Sequence, residues 1–181
     1  MSYFEDRRIL NATGGVSLPA RVVPIESRSV YTIHRCGLGE TAAEVAHAYE
    51  GGCHEAAKAT GCRMPYTHVV RRSGLIEQSI GWSEVGPHAC AWNAKSASVA
   101  VVGDFRERPP TDAQWDSLVW LCCVASILIG GVSGIYGHDE LVDGSRDPRK
   151  RCPGSHLDLG VLRSCVRESL LRLCHGVGMV W

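Results

Sequence analysis

Apolar and polar positions change period several times along this chain, and each change marks an element. Val30-Tyr31-Thr32-Ile33-His34 is a β-branched and aromatic run, the composition of a strand. Thr41 follows, with Glu44 three residues on; this capping box opens a helix that closes near Gly51-Gly52. A second helical piece is expected to reach Gly61. Tyr66 to Arg71 and Leu75 to Ile80 read as short strands joined in a hairpin through Ser73-Gly74. Ser96 to Val102 is a further strand, closed by Gly103-Asp104. Pro109-Pro110-Thr111-Asp112 opens a long helix with Trp115, Leu118, Val119, Cys122 and Ser126 on one face. Ile135-Tyr136 predicts a brief strand that delivers His138. Leu159, Leu162, Val166, Leu170 and Leu173 set the helical period of a closing helix from Leu157 to Cys174. Strands alternating with helices imply an α/β fold: one domain, with a central mixed β-sheet flanked by helices. Residues 1–28, punctuated by Gly14, Gly15, Pro19 and Pro24, read as an irregular N-terminal arm, leaving 29–181 as the folded domain.

The uncharged stretch from Leu118 to Tyr136 is apolar enough to raise the question of a membrane span. Gly130, Gly131 and Gly134 break its second half, so a buried helix followed by a buried strand is expected instead. The chain has 181 residues, enough for a core without staples. Its 19 basic and 19 acidic residues give a formal net charge of +0, which argues against strong nonspecific nucleic-acid binding. Arg146, Arg149, Lys150 and Arg151 nevertheless form a local basic cluster. The nine cysteines are odd in number, and the polar, acidic opening Met1-Ser2-Tyr3-Phe4-Glu5-Asp6 is not a signal peptide. Both favour synthesis in a reducing cytosol with mostly buried free thiols, a Cys53–Cys62 disulfide being disfavoured.

The chemistry concentrates late in the chain. Lys150-Arg151-Cys152-Pro153-Gly154, shortly after Gly137-His138, offers an ammonium, a thiolate and an imidazole, and His34 at the end of its strand offers a second imidazole. Two His and one Cys make a three-ligand zinc set that leaves a fourth position to water.

The ordered stretches Tyr31-Thr32-Ile33-His34, Pro65-Tyr66-Thr67-His68-Val69-Val70, Trp82-Ser83-Glu84-Val85-Gly86-Pro87-His88, Trp92-Asn93, Val101-Val102-Gly103-Asp104-Phe105, Gly137-His138-Asp139 and Lys150-Arg151-Cys152-Pro153-Gly154 resemble the zinc-dependent N-acetylmuramoyl-L-alanine amidases. That superfamily takes in phage lysozyme-type amidases and animal peptidoglycan-recognition proteins. The resemblance covers roughly residues 28–165. It implies an amidase/peptidoglycan-recognition-protein-like fold, with 29–181 as the zinc amidase catalytic domain. It implies Zn2+ ligands at His34, His138 and Cys152, catalytic roles for Tyr66 and Lys150, and a muropeptide groove lined by His88 and Asn93. The substrate it implies is peptidoglycan, cut between N-acetylmuramic acid and L-alanine. Zinc with Lys150 would hold the negative charge of the tetrahedral intermediate, and Tyr66 would orient water or bond the oxyanion.

The pattern is not followed everywhere. Thr67-His68 stands after the Tyr where the family often has His or Asn and then Phe, so His68 is left outside the site. Ser79-Ile80 precedes Gly81-Trp82 where many members carry Gly-Arg, which removes the Arg that grips the stem peptide. Ser98-Val99-Ala100-Val101 lacks the Glu base of one cytosolic recycling subgroup. His47, His54, His156 and His175 are expected to be surface or structural. A phage endolysin held in the host cytoplasm until release to the wall is the expected setting, acting as a monomer. The rival reading is a recognition module that binds without cutting; relatives of that kind typically lack the Cys ligand. Other rivals keep the fold but bind a regulatory protein partner such as a polymerase, or cut within the stem peptide.

Overall fold

The computed structural model describes residues 9–11, 21–37, 39–48, 64–129, 131–142 and 151–176. Their strands are β1 (Ile9–Asn11), β2 (Val30–Cys36), β3 (His68–Val70), β4 (Ile76–Gln78), β5 (Ser96–Val102) and β6 (Ile135–Gly137). The helices are α1 (Ala42–Ala48), α2 (Asp112–Ile129), α3 (His138–Leu141) and α4 (Leu159–Gly176). One six-stranded sheet runs in the order β1-β4-β3-β5-β2-β6. Only the β3–β4 pairing is antiparallel, so the sheet is mixed as the alternating pattern predicts. The hairpin turns where expected: Gly74 donates to Arg71 O at 2.9 Å, and its φ of 83° suits a residue without a Cβ. Its strands are shorter than their apolar runs, and Tyr66 and Thr67 lie just ahead of β3 rather than in it.

Side chains alternate across the sheet, and this alternation sorts the chemistry. On β2, Tyr31 and Ile33 face a core built with Val99 and Val101 of β5, Leu118, Leu121, Cys122 and Ala125 of α2, and Leu162 and Val166 of α4. Thr32, His34 and Cys36 face the other way, where α1 lays Ala42, Val45 and Ala46 against Met64, Tyr66, Val69, Ile80, Ala100 and Val102. The central strands β2 and β5 are covered on both faces, which is why they read as continuous apolar runs.

The helix starts follow the sequence signals. Glu44 N donates to Thr41 Oγ1 at 3.1 Å while Glu44 Oε2 accepts the Thr41 N–H at 3.1 Å. Thr111 and Gln114 exchange the same pair of bonds at the start of α2. By length and composition alone α2 could cross a membrane, but half of it is buried as the helix that roofs the sheet. Leu118, Cys122 and Ser126 are buried, together with Gln114, Ser117, Leu121, Ala125 and Ile129, whereas Trp115 and Val119 are half-buried at the flank. The closing helix begins at Leu159 because the Asp158 carboxylate caps Gly160 and Val161. The described part of the stretch expected to be an irregular arm is not all irregular. Ile9–Asn11 pairs in parallel with Ile76–Gln78 as the edge of the sheet, a three-residue strand too short to show a period. The second helical piece expected before Gly61, His54 and the Cys53–Cys62 pair lie outside the described residues.

Candidate metal centre

Parallel register brings the two imidazoles together. β2 and β6 align Ile33 with Gly137, so the next residues, His34 near the carboxyl end of β2 and His138 just past β6, stand side by side. Their ring centroids are 4.7 Å apart. Ligand sites in open α/β sheets collect at such strand ends. Cys152 completes the group from a loop 13 residues beyond Asp139, and the ligand atoms of His34, His138 and Cys152 all lie within 4.8 Å of one another.

That loop is held from several sides. Asp139 N donates to Cys152 O at 3.0 Å, and Cys152 N donates to Asp139 Oδ2 at 2.7 Å. Arg35, the residue after His34, donates from Nε to Arg151 O at 3.1 Å. The Cys152–Pro153 peptide is cis. Gly154 then adopts a φ of 116° over the Phe105 backbone, and a Cβ there would stand 2.5 Å from Phe105 C, so only glycine fits.

Tyr66 and His88 reach the same place from the other side. The Tyr66 ring centroid is 5.0 Å from that of His34, and the side chain is buried. The segments carrying the two are pressed together at Gly86, where a Cβ would meet Pro65 O at 2.1 Å. His88 is buried beside His34, with its Nδ1 3.1 Å from His34 Nε2 and its Nε2 3.0 Å from Ser96 Oγ. Asn93 is half-buried, and its Oδ1 accepts the N–H groups of His88 at 3.0 Å and Ala89 at 2.6 Å, fixing the turn that carries His88. Arg28, almost wholly buried, ties that turn to β5 through Asn93 O at 2.9 Å, Glu84 O at 2.7 Å and Ser96 O. Lys150 lies outside the described residues.

Burial sets the protonation of the cluster. The His34 imidazole is pushed well below its ordinary value by desolvation, and further by its neighbours His88 and His138. Desolvation pushes His88 down to about 3. The Cys152 thiol is pushed up to about 11 by burial, against which Arg35 works. A neutral imidazole is the ligand form of His, and a thiol that ionises only with difficulty in the bare protein gains most from a cation that replaces its proton. The donor set itself fits zinc. His34 Nδ1 lies 3.8 Å from Cys152 Sγ, near the ~3.5 Å that bonds of about 2.0 and 2.3 Å subtend in a tetrahedron. His34, His138 and Cys152 would therefore hold the ion, with His88 behind His34.

His68 stays outside this group for a geometric reason. It shares the face of Val70, opposite Val69, and its Nδ1 lies 3.0 Å from Tyr31 Oη with Trp82 packed alongside. It is a core histidine. His47, His156 and His175 are exposed. Asp139, Arg35, Arg28 and Ser96 are supporting residues that the linear motifs did not single out. Their signal was position beside a ligand or a strand start, which carries no information without the register.

A family profile described as N-acetylmuramoyl-L-alanine amidase matches residues 27–155. The chain belongs to the N-acetylmuramoyl-L-alanine amidase family. Among curated relatives of this amidase-family chain, the human N-acetylmuramoyl-L-alanine amidase is 30% identical over 95 residues, covering 51% of this chain and 16% of that protein. Peptidoglycan-recognition protein SC2 of Drosophila simulans is 30% identical over 94 residues, covering 51% and 48%. The matches thus span less than half the length of these relatives. Among solved structures, N-acetylmuramoyl-L-alanine amidase LysC from Clostridium intestinale superposes with a TM-score of 0.67 at 17% identity, covering 88% of this chain and 95% of that one. The Ph2119 endolysin from a Thermus scotoductus bacteriophage gives 0.64 at 19% identity, covering 87% and 98%. These share the amidase fold, one α/β domain around a mixed sheet.

Proposed function

We propose that this chain hydrolyses the amide bond between N-acetylmuramic acid and L-alanine in peptidoglycan, as a zinc enzyme. The observation that carries the reading is the complete His34–His138–Cys152 donor set at the carboxyl end of the sheet, in a chain of the amidase family. A zinc ion held by three protein ligands supplies hydroxide near neutral pH and Lewis acidity towards a carbonyl.

The chain's own residues do the rest. His34, His138 and Cys152 fix the ligand geometry through the β2–β6 register and the loop bonds around Cys152. Tyr66, whose ring packs against His34, directs its hydroxyl to the charge that develops on the reacting carbonyl. Lys150, two residues before Cys152, supplies a positive charge to the same oxygen and a proton to the departing amine. Burial of His34, with His88 behind it, keeps water from competing on that side of the cluster.

The setting we propose is a phage endolysin, made in the host cytoplasm and acting on the wall as a monomer; the Ph2119 endolysin shares the fold. Binding without cleavage is the rival, supported by the likeness to a recognition protein. Incubating the zinc-loaded protein with purified peptidoglycan and measuring released L-alanine amino termini separates the two. Release that disappears in Cys152→Ala supports hydrolysis; tight binding with no new amino termini overturns it.

A further inference from the structure

We propose that His88 is a positioning residue that fixes the tautomer of His34, accepting the His34 Nε2–H so that the bare Nδ1 of His34 turns towards Cys152 and His138. This rests on the reading of those three residues as metal ligands.

The direction of every bond in the chain follows from its far end. Ser96 Oγ donates its single proton to the Trp92 carbonyl at 2.9 Å. Towards His88 it can therefore only accept, and His88 Nε2, 3.0 Å away, must carry the proton. A neutral imidazole has one N–H, so His88 Nδ1 is a lone pair. His34 Nε2 lies 3.1 Å from that lone pair and must donate to it. The one proton of His34 is then on Nε2, and its Nδ1, 3.8 Å from Cys152 Sγ, is bare. A ligand histidine is oriented in this way by the partner of its other nitrogen.

The relay is anchored at both ends in the backbone. Ser96 opens β5 and His34 lies near the end of β2, on the same face of paired strands. The 3-10 turn that supplies the Trp92 carbonyl is pinned by Arg28 through Asn93 O and Ser96 O. With both ring nitrogens engaged inside the protein, His88 has no polar ring atom left for a bound sugar or peptide.

Nitrogen-15 NMR of histidine-labelled, metal-free protein reads the tautomers directly. Both His34 and His88 are expected as the Nε2–H form; either ring found as Nδ1–H overturns the proposal. Cobalt(II) affinity, measured by chelator competition, gives a second readout. His88→Asn keeps an acceptor towards His34 and is expected to bind within about threefold of the parent, while His88→Phe loses about 10- to 100-fold, the usual effect of removing such a partner. Parental affinity in His88→Phe also overturns the proposal. If the parent binds no cobalt, it is the metal-enzyme reading that fails, and the tautomers alone decide the relay.

Discussion

Asp139 and Cys152 are bonded to each other twice, Asp139 N to Cys152 O and Cys152 N to Asp139 Oδ2, at 3.0 and 2.7 Å. The exchange locks the loop that carries the sulfur onto the segment that carries His138, so His138 and Cys152, on different elements, move as one body. Asp139→Ala removes the carboxylate half. Zinc affinity is expected to fall about 10- to 100-fold, with far-UV circular dichroism unchanged, as read by competition with a chromogenic chelator.

On the proposed reading, Tyr66 and Cys152 separate chemistry from metal retention. Tyr66→Phe keeps the ring against His34 and loses only the hydroxyl. Zinc content is expected to stay at one per chain while amide cleavage falls about 100- to 1000-fold, the range for removing one oxyanion donor. Lys150→Ala is expected to behave in the same way. Cys152→Ala is expected to lose the ion. Elemental analysis beside product assay reads both.

Loading is expected to release a proton. The Cys152 thiol, pushed up to about 11 by burial, is protonated in the bare protein at neutral pH and must ionise to bind. His34, pushed well below its ordinary value, brings no proton to displace. Apparent zinc affinity is therefore expected to rise about tenfold per pH unit between about pH 7 and 9, and calorimetry in buffers of different ionisation enthalpy counts the proton.

Gly86 is where the segments bearing Tyr66 and His88 touch. A methyl group there would stand 2.1 Å from the Pro65 carbonyl oxygen, a backbone atom that cannot swing aside. Gly86→Ala is expected to cost about 1–3 kcal/mol, the range for overpacking, in urea unfolding. Activity is expected to drop beyond the loss of folded protein, because the strain lands next to Tyr66.

His68 makes the fold acid-sensitive independently of the metal site. Burial pushes it down to about 3, while an unfolded histidine titrates near 6.5. Between those values the unfolded chain holds the extra proton. Stability from this group is therefore intact above about pH 6.5 and lost as pH falls towards 3, by up to ~1.4 kcal/mol per pH unit. His68→Phe is expected to flatten the slope of unfolding free energy against pH by one proton, whatever it does to stability at pH 7.

The sequence made much of this legible where local rules decide. The Thr41–Glu44 box, the Ser73-Gly74 turn and the apolar runs of β2 and β5 were readable because caps, turns and burial act over a few residues. His34, His138 and Cys152 were nameable because each sits in a motif of the family. The relation of His88 to His34 was not readable, since it depends on parallel register and on Ser96 sharing a face with a residue on another strand. Nor was the strand Ile9–Asn11, which is held by pairing with β4 rather than by any period of its own. Trp115 and Val119 share a face with Leu118 and Cys122 but stop half-buried against the core, because a nearly all-apolar helix has no single face for periodicity to pick out.

The short strand β6 sits at the rim of the sheet, joined to β2 over three residues, and hands directly to His138. An ion held by His34 and His138 would thus act as a rivet between rim and interior. Filling the centre is then expected to quiet amide exchange along Ile135–Gly137, and stripping it to let that rim fray.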